Sequence, residues 1–93
     1  MQQNTSDQAW QDFMQCCLKL NDLTQLTAFF EIFLTISEKE EIGNRFQIIR
    51  ELITAKKTQR EIARDLKVSI ANVSRGSNAL KTISYDVKKL LNI

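Results

Sequence analysis

Residues Thr58–Lys81, TQREIARDLKVSIANVSRGSNALK, decide how this chain is read. Their apolar members are spaced for two short helices and a tight turn: Ile62, Ala63 and Leu66, then Val68, then Val73 and Leu80. Two helices that cross steeply need a small side chain where they touch, and Ala63 supplies it. Thr58 and Glu61 have the spacing of a capping box, which predicts a helix over Gln59–Leu66. Ser69 is placed to cap a second helix from Ile70 to about Thr82. Lys67 stands where such turns often have glycine, and a left-handed backbone at lysine costs about 1 kcal/mol. The pattern is that of a helix-turn-helix.

The second helix, laid out at about 100° per residue, has three sides. Val73 and Leu80 lie together and face a core. About 100° away, Ile70, Ala71, Ser74, Ser77, Asn78 and Lys81 form a face of small, amide, hydroxyl and cationic groups with no acid. A helix entering a major groove needs this chemistry: small residues allow close approach, amides and hydroxyls meet base edges and phosphates, and lysine supplies charge. A merely solvated face would mix acids with bases. Ser69 would leave the positive helix N-terminus toward the DNA. With Thr58, Gln59 and Arg60 at the start of the first helix, and Asn72 on the flank of the second, these are the candidate DNA-binding residues. The remaining flank holds Asn72, Arg75, Gly76 and Ala79. A mid-helix glycine costs about 1 kcal/mol relative to alanine, so something must approach the backbone at Gly76; tight helix packing and a bound ligand both fit.

Outward from this segment, the chain of 93 residues has no proline and two glycines, Gly43 and Gly76, too little turn punctuation for hairpins or sandwiches. The expected fold is all-α, with six short helices. Trp10, Phe13, Met14, Cys17 and Leu18 form the stripe of a helix within Gln8–Asn21, and Leu23, Leu26, Phe29, Phe30, Phe33 and Leu34 form a bulkier second stripe. Two short helices cannot hide that much aromatic surface, so a partner chain is expected to cover it. Ser37 with Glu40 predicts a third helix from about Glu38 to Ala55, with Ile42, Phe46, Ile49, Leu52 and Ile53 on one side. Ser84 caps a last helix that ends in Leu90 and Leu91.

The net charge of +2 conceals a division. Residues 1–55 hold four Lys or Arg against eight Asp or Glu, −4, and residues 56–93 hold nine against three, +6. A basic half points to a polyanion, and nucleic acid fits better than a membrane surface. The polar start, Met1 to Asp7, carries no signal-like run, and a cytoplasmic location is expected. Cys16 and Cys17 are adjacent, with no histidine in the chain, which argues against a metal site and for two reduced thiols. Without histidine, a phosphate-cradling glycine loop or an apposed nucleophile and base, an enzyme is not expected.

From about Leu34 through Leu80 the chain resembles the bacterial tryptophan repressor family, most closely in IGNR at Ile42–Arg45, TQRE at Thr58–Glu61 and SRGSNALK at Ser74–Lys81. The resemblance implies a single domain over residues 1–93. In it, residues 1–57 and 83–93 build the core of an intertwined homodimer and residues 58–82 form the reading head. Docking of two such heads on operator DNA is a feature for which this family is a standing example. The resemblance also implies L-tryptophan as corepressor, with no other cofactor. The indole would lie between the guanidinium groups of Arg45 and Arg75, an attraction worth about 1–2 kcal/mol when shielded from water. Arg75 with Thr35 would take the carboxylate, the carbonyls of Ile32 and Leu34 from the other subunit would meet the ammonium, and Gly76 would leave room for the ring. The chain departs from the family where Ala79 replaces a serine that helps hold the ammonium, and where Asn72 replaces a threonine. One lost hydrogen bond to a charged group is worth about 1.5–3 kcal/mol. Lys67, Val68 and Ser69 occupy a turn usually richer in glycine, and Ala63 a position where the family can offer lysine. The alternatives are a helix-turn-helix regulator with no ligand or another indole ligand, and a helical protein–protein adaptor.

Overall fold

The computed structural model describes residues 5–54 and 56–91, which form six helices and, among the described residues, no strand. They are α1 (Thr5–Cys17), α2 (Leu23–Phe33), α3 (Ile36–Thr54), α4 (Gln59–Leu66), α5 (Ile70–Leu80) and α6 (Tyr85–Leu91). The chain divides into two compact units, Met1–Thr35 and Ile36–Ile93.

In the first unit α1 stops at Cys17, four residues short of the expected Asn21. The N–H groups of Lys19 and Leu20 bond three residues back, to the carbonyls of Cys16 (3.0 Å) and Cys17 (3.2 Å), which tightens and ends the helix. Asp22 then sits in extended backbone (φ −147°, ψ 173°) and caps α2, its Oδ1 accepting from the Gln25 N–H at 2.8 Å. The Gln25 side chain reaches back to the Asn21 N–H at 2.8 Å. This local cap outweighs the apolar periodicity that would have carried α1 through Leu18, and Leu18 is left 80% exposed. Phe13 gathers the aromatic side chains, with ring centroids 5.0 Å from Phe33, 5.5 Å from Phe29, 5.6 Å from Trp10 and 6.1 Å from Phe30. Such offset and edge contacts suit the ring quadrupoles. No residue of α2 is nevertheless buried, and Leu23, Ile32 and Phe33 stay open to solvent.

In the second unit α3 begins at Ile36, so the expected cap at Ser37 is corrected: Ser37 lies inside the helix. Thr35 and Glu38 repeat the same spacing two residues earlier, and the backbone follows that register. The buried side of α3 also differs from the expected stripe. Ile48 is its buried residue and Leu52 packs beside it, whereas Ile42 and Phe46 are exposed. Arg50 lies over the Phe46 ring, 5.4 Å from its centroid.

Ile48, Ile62 and Val73, one each from α3, α4 and α5, are buried to 1% exposure or less, with Leu52, Ala63, Leu66 and Val68 packed around them. The caps of α4 and α5 form as expected. Thr58 Oγ1 accepts from the Glu61 N–H (3.1 Å) while Glu61 Oε1 accepts from the Thr58 N–H (3.0 Å), and Ser69 Oγ accepts from the Asn72 N–H (3.1 Å). α5 ends at Leu80, slightly before the expected Thr82, where the Lys81 and Thr82 N–H groups turn to carbonyls three residues back. Ser84 meets the Val87 N–H at 3.3 Å, as expected for the cap of α6.

Lys67 takes the left-handed conformation read from the turn, with φ 57° and ψ 44°, and is the one non-glycine residue with positive φ among those described. Its N–H and that of Val68 close α4 on the carbonyls of Arg64 (3.3 Å) and Ala63 (3.0 Å). Lys67→Gly should therefore stabilise the protein by about 0.5–1 kcal/mol, since glycine enters this region without steric penalty. A rise in the urea midpoint at unchanged m-value would show it.

Candidate functional site

Val73 fixes the rotation of α5 by packing with Ile48 and Ile62, which leaves one further side of the helix toward α3 and another, with Ile70, Ala71 and Asn78, exposed. Gly76 explains how closely α5 lies on α3. A Cβ there would stand 3.1 Å from Ile48 Cγ2 and 3.2 Å from both Ile49 Cδ1 and Leu52 Cδ1. Helix packing is thus one reason for this glycine. Gly76 also lines a cavity of ≈ 340 Å³, together with Arg45, Ile48, Ile49, Asn72, Arg75 and Ala79. The two readings of Gly76 coexist: its missing side chain permits the close approach that shapes the cavity.

Five of the eight residues expected around a ligand, Arg45, Asn72, Arg75, Gly76 and Ala79, therefore share one cavity. Ile32, Leu34 and Thr35 belong to the first unit, with Ile32 at the exposed end of α2. Sequence reasoning missed Ile48 and Ile49 as lining residues, although Arg45, Ile48, Ile49 and Leu52 are spaced by three and four and share a side of α3. The polar side chains of the lining are two guanidinium groups and one amide, with no carboxylate. Arg75 Nη1 donates to Asn72 Oδ1 at 3.3 Å. Because guanidinium has no acceptor, the amide oxygen faces it, and the amide's donor end remains available. An apolar floor under such donors suits a flat, partly apolar molecule carrying an anionic group.

The candidate DNA face is exposed at Ile70, Ala71 and Asn78 and half-buried at Ser74 and Ser77. Ser74 Oγ donates to Gln59 Oε1 at 3.0 Å, joining α5 to the start of α4. Lys81 Nζ donates to Asn78 Oδ1 at 3.4 Å. Thr58, Gln59, Arg60, Ser69 and Asn72 are likewise exposed. Two of the three acids in residues 56–93 are occupied elsewhere. Glu61 closes the capping box, and Asp65 pairs with Lys57 at 3.0 Å and Arg64 at 3.3 Å.

These contacts shift the ionisation of the groups that make them. Hydrogen bonds from Thr58 hold the Glu61 carboxyl below its ordinary pKa, and those from Lys57 and Arg64 do the same for Asp65. The bond to Asp65 and the charge of Glu51 raise Lys57. A depressed carboxylate adds stability above its unfolded pKa, near 4, and loses it as pH falls through the folded value. Amide-exchange protection of α4, corrected for intrinsic rates, should accordingly hold between pH 7 and about 5 and fall below about 4. Glu61→Gln, which can still close the box, should flatten that fall; an equally steep profile in the variant would contradict this assignment.

The cysteines carry free thiols, Cys16 exposed and Cys17 half-buried, and no metal-holding group of side chains occurs among the described residues. Among those residues no helix is long and apolar enough to cross a membrane.

A family model described as Trp repressor protein matches residues 8–93. The chain is 42% identical over 91 residues to a Trp operon repressor homolog of Chlamydia caviae, covering 98% of this chain and 90% of that one. It is 41% identical over 88 residues to a Trp operon repressor homolog of Chlamydia trachomatis serovar D, covering 95% and 94%. A Trp operon repressor homolog of Haemophilus influenzae strain PittEE is 35% identical over 77 residues, covering 83% and 76%.

Proposed function

Because the chain belongs to the Trp repressor family, a family of transcriptional repressors, we propose that it represses transcription as a homodimer that binds operator DNA through α4 and α5 with L-tryptophan as corepressor. The observation that carries this reading is the cavity lined by Arg45 and Arg75, formed in part by the same helix that presents Ile70, Ala71 and Asn78 to solvent, with exposed Lys81 as its C-cap. The indole would lie between the two guanidinium groups, and the carboxylate would take donors from Arg75 and the Asn72 amide. Ala79 offers the ammonium no side-chain acceptor, which leaves that role to the carbonyls of Ile32 and Leu34 of a second copy, with Thr35 assisting at the carboxylate.

The second copy is supported by what one chain leaves uncovered. Trp10, Leu18, Leu23, Ile32, Phe33, Ile36, Tyr85 and Leu90 are each more than half exposed, an apolar area a soluble monomer would not normally present. Two heads on a dimer would enter successive major grooves, the geometry for which this family is an example. Bound tryptophan would favour the conformation in which both fit, and linkage requires DNA to raise tryptophan affinity by the same factor.

The test begins with duplexes selected by this protein from random-sequence DNA in the presence of tryptophan. Affinity for the selected duplex should fall on the order of tenfold or more when tryptophan is withdrawn; equal affinities would reject the gating. Arg75→Ala should abolish that response while the protein still folds by circular dichroism. Lys81→Ala should weaken binding to all duplexes and reduce the salt slope by about one unit, and an unchanged slope would remove Lys81 from the phosphate contacts.

A further inference from the structure

The basic half of the chain places Lys57 immediately before the N-cap of α4, where a cation would be the natural partner of a DNA phosphate. Its ammonium is directed elsewhere. Nζ lies 3.0 Å from Asp65 Oδ2, near the end of α4, and 3.8 Å from Glu51 Oε2, near the end of α3. One cation thus joins two helices from the segment that connects them. The Asp65 carboxylate also meets Arg64 Nε at 3.3 Å, so four charged groups form a network. An isolated surface ion pair contributes little, but networks of several charges are the exception.

α4 needs such a fastening. It is eight residues long and has one buried residue, Ile62. Ala63 and Leu66 pack, partly buried, beside it, so the apolar hold on this short helix comes from one side, and the charged contacts at its ends add to that hold. The Ser74–Gln59 hydrogen bond fixes the start of α4 to α5. The Lys57 network fixes its other end to α3. Resting on the reading of α4 and α5 as a DNA-binding head, we propose that Lys57 is a positioning residue for that head: its ammonium, shared by Glu51 and Asp65, sets the orientation of α4 against α3 and meets no phosphate.

This assignment predicts a sign that simple electrostatics does not. Removing the Asp65 charge makes the head more positive and should strengthen DNA binding if charge alone mattered. Under the proposal Asp65→Asn weakens it. The experiment compares the full-length protein with its Lys57→Met, Asp65→Asn, double and Lys57→Arg variants on a duplex selected as above, with tryptophan present, across a salt series. Lys57→Met and Asp65→Asn should each lose about two- to fivefold in affinity, and the double variant should be no weaker than the worse single. The salt slope should stay within about 0.3 of the parent value, whereas loss of a phosphate contact lowers it by about 0.9. Lys57→Arg should restore binding.

Amide exchange without DNA provides an independent reading: α4 should exchange faster in Lys57→Met and Asp65→Asn, and at the parent rate in Lys57→Arg. A slope lowered by about one unit in Lys57→Met, tighter binding by Asp65→Asn, or unchanged exchange in α4 would each overturn the proposal. If the parent protein selected no duplex, the DNA-binding reading itself would fail, and the exchange rates would still decide whether Lys57 fastens α4.

Discussion

The burial of Val73 against Ile48 and Ile62 is the contact from which the site follows. With one side of α5 held by the second unit's interior, its other sides are placed without further choice. One closes over the cavity through Asn72, Arg75, Gly76 and Ala79, and another turns Ile70, Ala71, Asn78 and Lys81 outward. Gly76 makes the arrangement possible, because its backbone approaches Ile48, Ile49 and Leu52 where a Cβ would crowd them. Both sides belong to one helix of eleven residues and so share a single rotation about its axis.

Charge is arranged to the same end. The basic half still contains Glu61, Asp65 and Asp86, yet the outward side of α5 has no acid. Glu61 is drawn into the capping box, and Asp65 into its pairs with Lys57 and Arg64. The acids that could have repelled a polyanion instead hold α4 at both ends. The cavity shows the complementary case, with guanidinium and amide donors and no carboxylate among its lining side chains.

Three fully buried side chains among the described residues are a small interior for a chain of 93 residues. The first unit shows the shortage most clearly. Its phenylalanine rings contact one another, but α2 buries no residue at all. Apolar surface of this extent is what an intertwined second copy would cover, and stability would then depend on protein concentration.

The helix-turn-helix was legible in the sequence because its signals are local. Thr58 with Glu61 and Ser69 with Asn72 satisfy backbone donors within one turn, and Lys67 reverses the chain in the left-handed conformation its position called for. Arg45 and Arg75 could be assigned to a common ligand only through family resemblance; their shared cavity depends on how α5 lies across α3. The end of α1, the start of α3 at Ile36 and the burial of Ile48 in place of Ile42 and Phe46 escaped the sequence, since competing caps and two apolar sides of one helix are close in energy until packing selects between them. The pairing of Lys57 with Glu51 and Asp65 was equally hidden. Sequence fixes what each short segment can do within its own hydrogen-bonding reach, and only tertiary structure brings distant charges and apolar faces within the few ångströms over which they act.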